Sequence, residues 1–196
     1  MKTIGVTGIS GSGTSTVAQL LKELGSGYII SADKLAHEAM LQGKAAFDPI
    51  IQSFGVEILG GDGEIDRKLL SARVFGRPEV LKLLEDIIHP KVWEATQAYL
   101  EALKELGTFP FAVIDAPLLI ESGMHTLCET VILVTASDTV RAQRIMWRDN
   151  LTEEAAVRRL ASRVGDESLK PYAQVIIEND GGVEDLREKV LAVLNP

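Results

Sequence analysis

Residues 8–16 read Gly8-Ile9-Ser10-Gly11-Ser12-Gly13-Thr14-Ser15-Thr16. Gly8, Gly13 and Ser15 fall in register with the phosphate-loop pattern Gly-x-x-x-x-Gly-Lys-[Ser/Thr], and Thr14 stands where the pattern has lysine. A glycine-rich turn of this kind between a strand and a helix points successive backbone N–H groups into one concavity, and the helix N-terminus adds partial positive charge. The flanks match. Thr3 to Thr7 is a β-rich run, and Val17, Leu20, Leu21 and Leu24 follow at i, i+3, i+4, i+7, one apolar helix face that Gly25 stops. Tyr28-Ile29-Ile30 is a second strand, so the unit is βαβ and its strands are parallel. The loop predicts a nucleoside polyphosphate ligand, with the Ser15 hydroxyl on Mg²⁺. A dinucleotide fold competes, because Gly11-x-Gly13 is present and Asp33 lies about 20 residues on. That reading puts Thr16 at its third glycine and leaves Gly8 and Ser15 unexplained.

The chain has 196 residues, enough for one domain with a substantial core. Its net charge of −8 argues against a nucleic-acid partner, which would call for a basic balance. A single cysteine, Cys128, allows no intramolecular disulfide and no cysteine-rich metal site. No apolar run approaches a membrane span and no signal-peptide h-region precedes the first strand, so the expected location is the cytoplasm.

Residues 66–106 read as mostly helical. Val80, Leu83, Leu84, Ile87 and Ile88 form one stripe, which His89-Pro90 interrupts. Val92, Ala95, Tyr99 and Leu103 form a new face beyond it. Phe111–Asp115 and Thr130–Thr135 are apolar and rich in β-branched residues, as doubly buried strands should be. Residues 137–164 are basic and helical, with Thr152 as an N-cap. Val175–Ile177 is the final strand and Val183–Leu194 the final helix.

Several charged residues sit where chemistry would need them. Asp33 follows the second strand, and ligands of open parallel sheets gather at carboxyl ends of strands. It is either a base for an acceptor hydroxyl or the cap of the helix carrying Leu35 to Met40. Asp115 ends the third strand and is either a carboxylate for a metal-bound water or a turn aspartate. Arg144, Arg148, Arg159 and Arg163 could stabilise a transferred phosphoryl group, or form a solvated face paired with Asp149, Glu153 and Glu154. His37, His89 and His125 show no metal-ligand spacing.

The chain resembles the dephospho-CoA kinases over almost its whole length. The likeness is carried by Thr7-Gly8 through Thr16; Ala32-Asp33-Lys34 with His37-Glu38; Phe54-Gly55 with Gly63; and Asp66-Arg67 with Leu70 and Val74-Phe75. It continues through Ile88-His89-Pro90; Asp115-x-Pro117-Leu118-Leu119-x-Glu121-Ser122-Gly123; Arg144 with Arg148-Asp149; and Asn179. The resemblance implies a three-layer α/β/α P-loop kinase with a parallel sheet. Within a single domain spanning residues 1–196, about 60–105 would be a helical CoA-side insertion and about 137–168 a lid. It implies ATP and Mg²⁺ as cofactors and phosphorylation of the ribose 3′-hydroxyl of dephospho-coenzyme A. Asp33, Arg148 and Arg163 would be catalytic. Gly8, Gly11, Ser12, Gly13, Thr14, Ser15, Thr16, Arg144 and Asn179 would bind nucleotide, and Ser15 and Asp115 the metal. The partners would be small molecules, with no nucleic acid and no membrane, and the protein a monomer or small homo-oligomer.

Four positions depart from that family's pattern: Thr14 for lysine, Arg163 for a lid glutamine, Gln174 for aspartate and Ser31 for aspartate. Three of the four are expected near nucleotide or acceptor. Losing one preorganised donor lowers turnover by about 10²–10³, so phosphate binding should survive better than rate, and Arg163 could return the lost charge. A same-fold kinase for another acceptor and a non-catalytic nucleotide- or CoA-binding relative are the alternatives.

Overall fold

The doubly buried strand patterns and the βαβ start resolve into a five-stranded sheet. The structure, a computed structural model, describes residues 1–161 and 166–195. The strands are β1 (Lys2–Thr7), β2 (Tyr28–Ser31), β3 (Phe111–Asp115), β4 (Thr130–Thr135) and β5 (Val175–Glu178), in the order β2-β3-β1-β4-β5. β1 pairs in parallel with β3 and with β4, and β4 with β5. β3 therefore stands between β1 and β2, whereas a dinucleotide-binding sheet keeps its first two strands adjacent. That order removes the dinucleotide reading. It also makes the carboxyl end of β1 the point where the chain divides to the two sides of the sheet, which is where open α/β sheets bind ligands.

The chain forms two compact units, residues 1–30 with 103–196, and residues 31–102. In the first, α1 (Thr14–Gly25) and α8 (Val183–Leu194) cover one sheet face. Val17, Leu20 and Leu21 of α1 and Leu186 and Val190 of α8 are buried against Val6, Val113, Ile132, Val134 and Ile177. Ile9, Leu133 and Leu169 make a separate cluster. α6 (Asp138–Asp149) and α7 (Glu153–Ala161) also belong here, and the Thr152 hydroxyl caps α7 by accepting from the Ala155 amide at 3.4 Å. No helix among the described residues is long and apolar enough to cross a membrane.

The second unit contains α2 (Ala32–Ala39), α3 (Phe47–Phe54), α4 (Arg67–Val74) and most of α5 (Pro78–Leu106). Its core is Ile50, Phe54, Ile58 and Leu70, packed by Val80, Leu84, Ile87 and Ile88. Leu83, expected in that stripe, is 43% exposed.

Two expectations for α5 are corrected. His89-Pro90 does not end the helix, which runs through Pro90 as one 29-residue element. Proline removes one main-chain donor, and the burial on both sides of it outweighs that loss. Beyond Pro90 the buried face is Val92, Thr96, Leu100 and Leu103, not the face carrying Ala95 and Tyr99. The polar Thr96 is accommodated because its hydroxyl donates to the Val92 carbonyl at 2.7 Å.

Pro90→Ala restores a donor to the Asp86 carbonyl and removes the ring from the helix interior. It should raise stability by about 1–3 kcal/mol, seen as a higher urea midpoint. An unchanged or lower midpoint would contradict a regular α5 through this position.

Candidate active site

The chain leaves β1 at Thr7 and enters α1 at Thr14. The six residues between carry the geometry of the site. Gly13 is the N-cap of α1 with φ 98°, and a β-carbon there would run into the Asn179 side-chain amide. Gly11 has φ 87° and lies on the backbone of Arg141, where a β-carbon would sit 2.9 Å from a carbonyl oxygen. Both positions therefore need glycine for handedness and for space.

The start of α1 has no side-chain cap and no acidic residue in its first turn. Among the described residues, the amides of Gly11, Gly13, Thr14 and Ser15 donate to no protein acceptor. Thr16 and Val17 donate to the Gly13 carbonyl at 3.1 Å each. Four free N–H groups at an uncompensated positive helix end are a receptor for an anion. Ser12 is fully buried, and its hydroxyl oxygen has no hydrogen-bond partner among the described residues.

The Ser15 hydroxyl donates to Oδ2 of Asp115 at 3.0 Å. Asp115 closes β3 opposite Val6 of β1, so the sheet register brings the carboxylate to the loop. A hydroxyl and a carboxylate are hard oxygen donors of the kind Mg²⁺ accepts. No cluster of three or more His, Cys, Asp or Glu side chains suited to a metal occurs among the described residues. The pair thus fits a cation that completes its shell with phosphate oxygens and water, as Mg²⁺ does.

Arg144 and Asn179 meet the loop from its other side. Nδ2 of the buried Asn179 donates to the Ser12 carbonyl at 2.7 Å. Arg144 donates to the carbonyls of Gly11 and Ser12 at 3.3 Å each and to Oδ1 of Asn179 at 3.4 Å. Arg148 instead holds its neighbour Asp149 through two bonds, at 2.8 and 2.9 Å, and Arg159 of α7 joins the same carboxylate at 2.8 Å. The hydrogen bonds from Arg148 keep the Asp149 carboxyl below the usual carboxylate range. The paired-face alternative thus describes Arg148 and Arg159, while Arg144 turns to the loop. Arg163 lies outside the described residues.

Asp33 belongs to the second unit, two residues past the end of β2 and in the first turn of α2. It is not the cap of that helix. Ser31 is the cap, its hydroxyl accepting from the Lys34 amide at 3.4 Å, and Asp33 is left exposed. Ser31 thus has a local task. So does Gln174, whose side-chain oxygen accepts from the Val131 amide at 2.8 Å while its main-chain amide donates to the Val131 carbonyl at 3.0 Å. Val131 stands near the amino end of β4, the end away from the loop, so Gln174 does not flank the phosphate site. Burial of Cys128 pushes its thiol up to about 12, which leaves it inert as a nucleophile.

The spacing of Arg141 and Arg144 puts them on a shared helix face, but sequence reasoning assigns Arg141 no part in the site. It is 5% exposed and donates to the Ser10 carbonyl at 3.1 Å. An arginine three residues before another on a helix next to the loop is the available signal.

The dephospho-CoA kinase family model (CoaE) matches residues 2–185. A protein of Dehalococcoides mccartyi named dephospho-CoA kinase is 40% identical over 97% of this chain and 94% of its own length. A Thermus thermophilus crystal structure superposes with TM-score 0.81 at 34% identity, covering 99% of this chain and 96% of that one. The structure titled dephospho-CoA kinase from Campylobacter jejuni gives TM-score 0.71 at 31% identity, over 100% and 96%. With the loop, the sheet order and the Ser15–Asp115 pair in place, a match of this extent means that the chain belongs to the dephospho-CoA kinase family.

Proposed function

We propose that this chain transfers the γ-phosphoryl group of ATP to the ribose 3′-hydroxyl of dephospho-CoA, giving CoA and ADP. The observation that carries the reading is the set of free amides at the start of α1 beside the Ser15–Asp115 pair, in a member of this family. The amides of Gly11, Gly13, Thr14 and Ser15 bind the phosphates in ground state and transition state alike. Ser15 and Asp115 would hold Mg²⁺, which when bound neutralises charge on the β- and γ-phosphate oxygens.

Asp33 accepts the proton of the 3′-hydroxyl as the new O–P bond forms and the bond to the β-phosphate oxygen breaks. Its support is its exposed carboxylate, freed from capping by Ser31, in the Ala-Asp-Lys motif just past β2. Residues 137–168 act as the lid and residues 60–105 as the acceptor side. Arg148 and Arg163 are the lid cations, and Arg148 reaches phosphate by exchanging Asp149 for it. The partners are small molecules in the cytoplasm, with neither nucleic acid nor membrane involved.

Thr14 favours one other reading, a relative that binds nucleotide and CoA without turnover. A different acceptor has less support, because Ser31 and Gln174 do structural work. Incubation with MgATP and dephospho-CoA, followed by coupled ADP detection and CoA analysis, separates these. Equal amounts of ADP and CoA are expected, and nucleotide binding without CoA formation would overturn the proposal.

Two variants test the roles. Asp33→Asn should lower kcat by about 10²–10⁴ with little change in the KM for ATP. A rate within threefold of the parent would remove Asp33 from proton transfer. Thr14→Lys should raise kcat by about 10-fold or more while the Kd of MgADP moves by less than about threefold, since a lysine there acts mainly on developing charge. An unchanged kcat would show that the loop's missing cation is not limiting.

A further inference from the structure

Arg141 makes a contact with the loop that the proposed mechanism leaves unused. A trans peptide is planar, with its C=O and N–H pointing in opposite directions. A donor that holds one carbonyl therefore also aims the amide of the same peptide. Three consecutive loop carbonyls are held this way. The Ser10 carbonyl accepts from Nε of Arg141, the Gly11 carbonyl from Arg144, and the Ser12 carbonyl from Arg144 and Asn179.

The amide that pairs with the Gly11 carbonyl belongs to Ser12. It turns inward to the Ile9 carbonyl at 3.1 Å. The other two amides, of Gly11 and Gly13, donate to no acceptor among the described residues and face away from their arginine- and asparagine-held carbonyls. Arg144 and Asn179 share the task at Ser12. At Ser10, Arg141 is the side chain that does it among the described residues.

The electrostatics point the same way. Arg141 is 5% exposed, and its one ion pair among the described residues, at 2.6 Å, is to Asp138, whose side chain is 85% exposed. Burying a guanidinium is costly unless its charge is well paired. A carboxylate that stands mostly in water neutralises it only in part. The remaining positive potential lies directly beneath a loop whose usual lysine is Thr14. The loop lies close to it, since Gly11 rests on the Arg141 backbone.

We infer that Arg141 is a positioning residue of the phosphate site: it fixes the Ser10–Gly11 peptide with its amide toward the phosphates and places beneath the loop a cation that this chain lacks at position 14. The inference rests on the reading of residues 8–16 as the nucleotide phosphate site. It adds a specific source of phosphate affinity in a lysine-free loop. The effect falls on binding of the phosphates and leaves recognition of the acceptor alone.

The test is calorimetric titration of the full chain with MgADP, with the KM for dephospho-CoA measured alongside. Arg141→Met removes cation and donor together and should weaken MgADP by more than about 10-fold. Arg141→Lys keeps the charge, but one ammonium cannot hold both Ser10 and Asp138 in the guanidinium's geometry, so a loss of about 3- to 10-fold is expected. The KM for dephospho-CoA should stay within about twofold in both.

MgADP affinity equal to the parent's in either folded variant would overturn the inference. So would a parallel rise in both constants, which marks general damage. If Arg141→Met does not fold, Arg141→Lys decides alone on the same criteria. Failure of the parent protein to bind MgADP would instead overturn the phosphate-site reading itself.

Discussion

Six residues between β1 and α1 must turn the backbone from a sheet, where amides are paired across strands, to a helix start, where the first amides have no partner among the described residues. The rest of the site depends on how that turn directs its peptide dipoles. Glycine at 11 and 13 lets the chain adopt the left-handed conformations required, but permissiveness alone would leave the amides free to rotate. Direction comes from behind, where side chains of α6 and the residue after β5 grip the carbonyls. The proposed phosphate receptor is thus shaped by elements more than 120 residues downstream of the loop that displays it. Sheet order makes this work: β4 lies beside β1 and β5 beside β4, so Asn179 at the end of β5 and α6 after β4 arrive at the same edge.

The local grammar of the chain is readable to an unusual depth. Strand cores such as Phe111–Asp115 and Thr130–Thr135 announce themselves because burial on both faces demands unbroken apolar runs. The loop is legible because its glycines answer to backbone constraints that few other sequences satisfy. The features that escape are set by tertiary context. Pro90 reads as a stop in any local rule, yet packing on both sides carries α5 through it. Thr96 looks like a surface residue until its hydroxyl is seen to bond back to Val92. Arg141 looks like one more charge on a basic face, because nothing in its neighbours shows that the loop, 130 positions earlier, rests on it.

The departures from the family pattern separate in a similar way. Ser31 caps α2 and Gln174 clips the start of β5 to β4, so each is explained by a neighbouring backbone group. Thr14 has no such local duty, and it alone removes charge from the phosphate side of the loop. A sequence that loses a cation at the front of a loop while burying a guanidinium behind it keeps the potential and gives up the reach. On the inference drawn for Arg141, affinity and turnover would answer to different side chains.

The contact between Gly11 and the Arg141 backbone also limits how the protein can move. α6 is fastened to the loop along its first two turns, so swinging it as an arm would first require these contacts to break. The first joint beyond that fastening is Asn150, a non-glycine residue in the left-handed region at φ 51°, between α6 and α7. Asp149, just before it, is held by arginines from both helices, so this joint carries a latch as well as a bend. If residues 137–168 work as the proposed lid, the part of it that can move relative to the loop begins beyond Asp149, at a joint whose near side is fastened to the loop carbonyls.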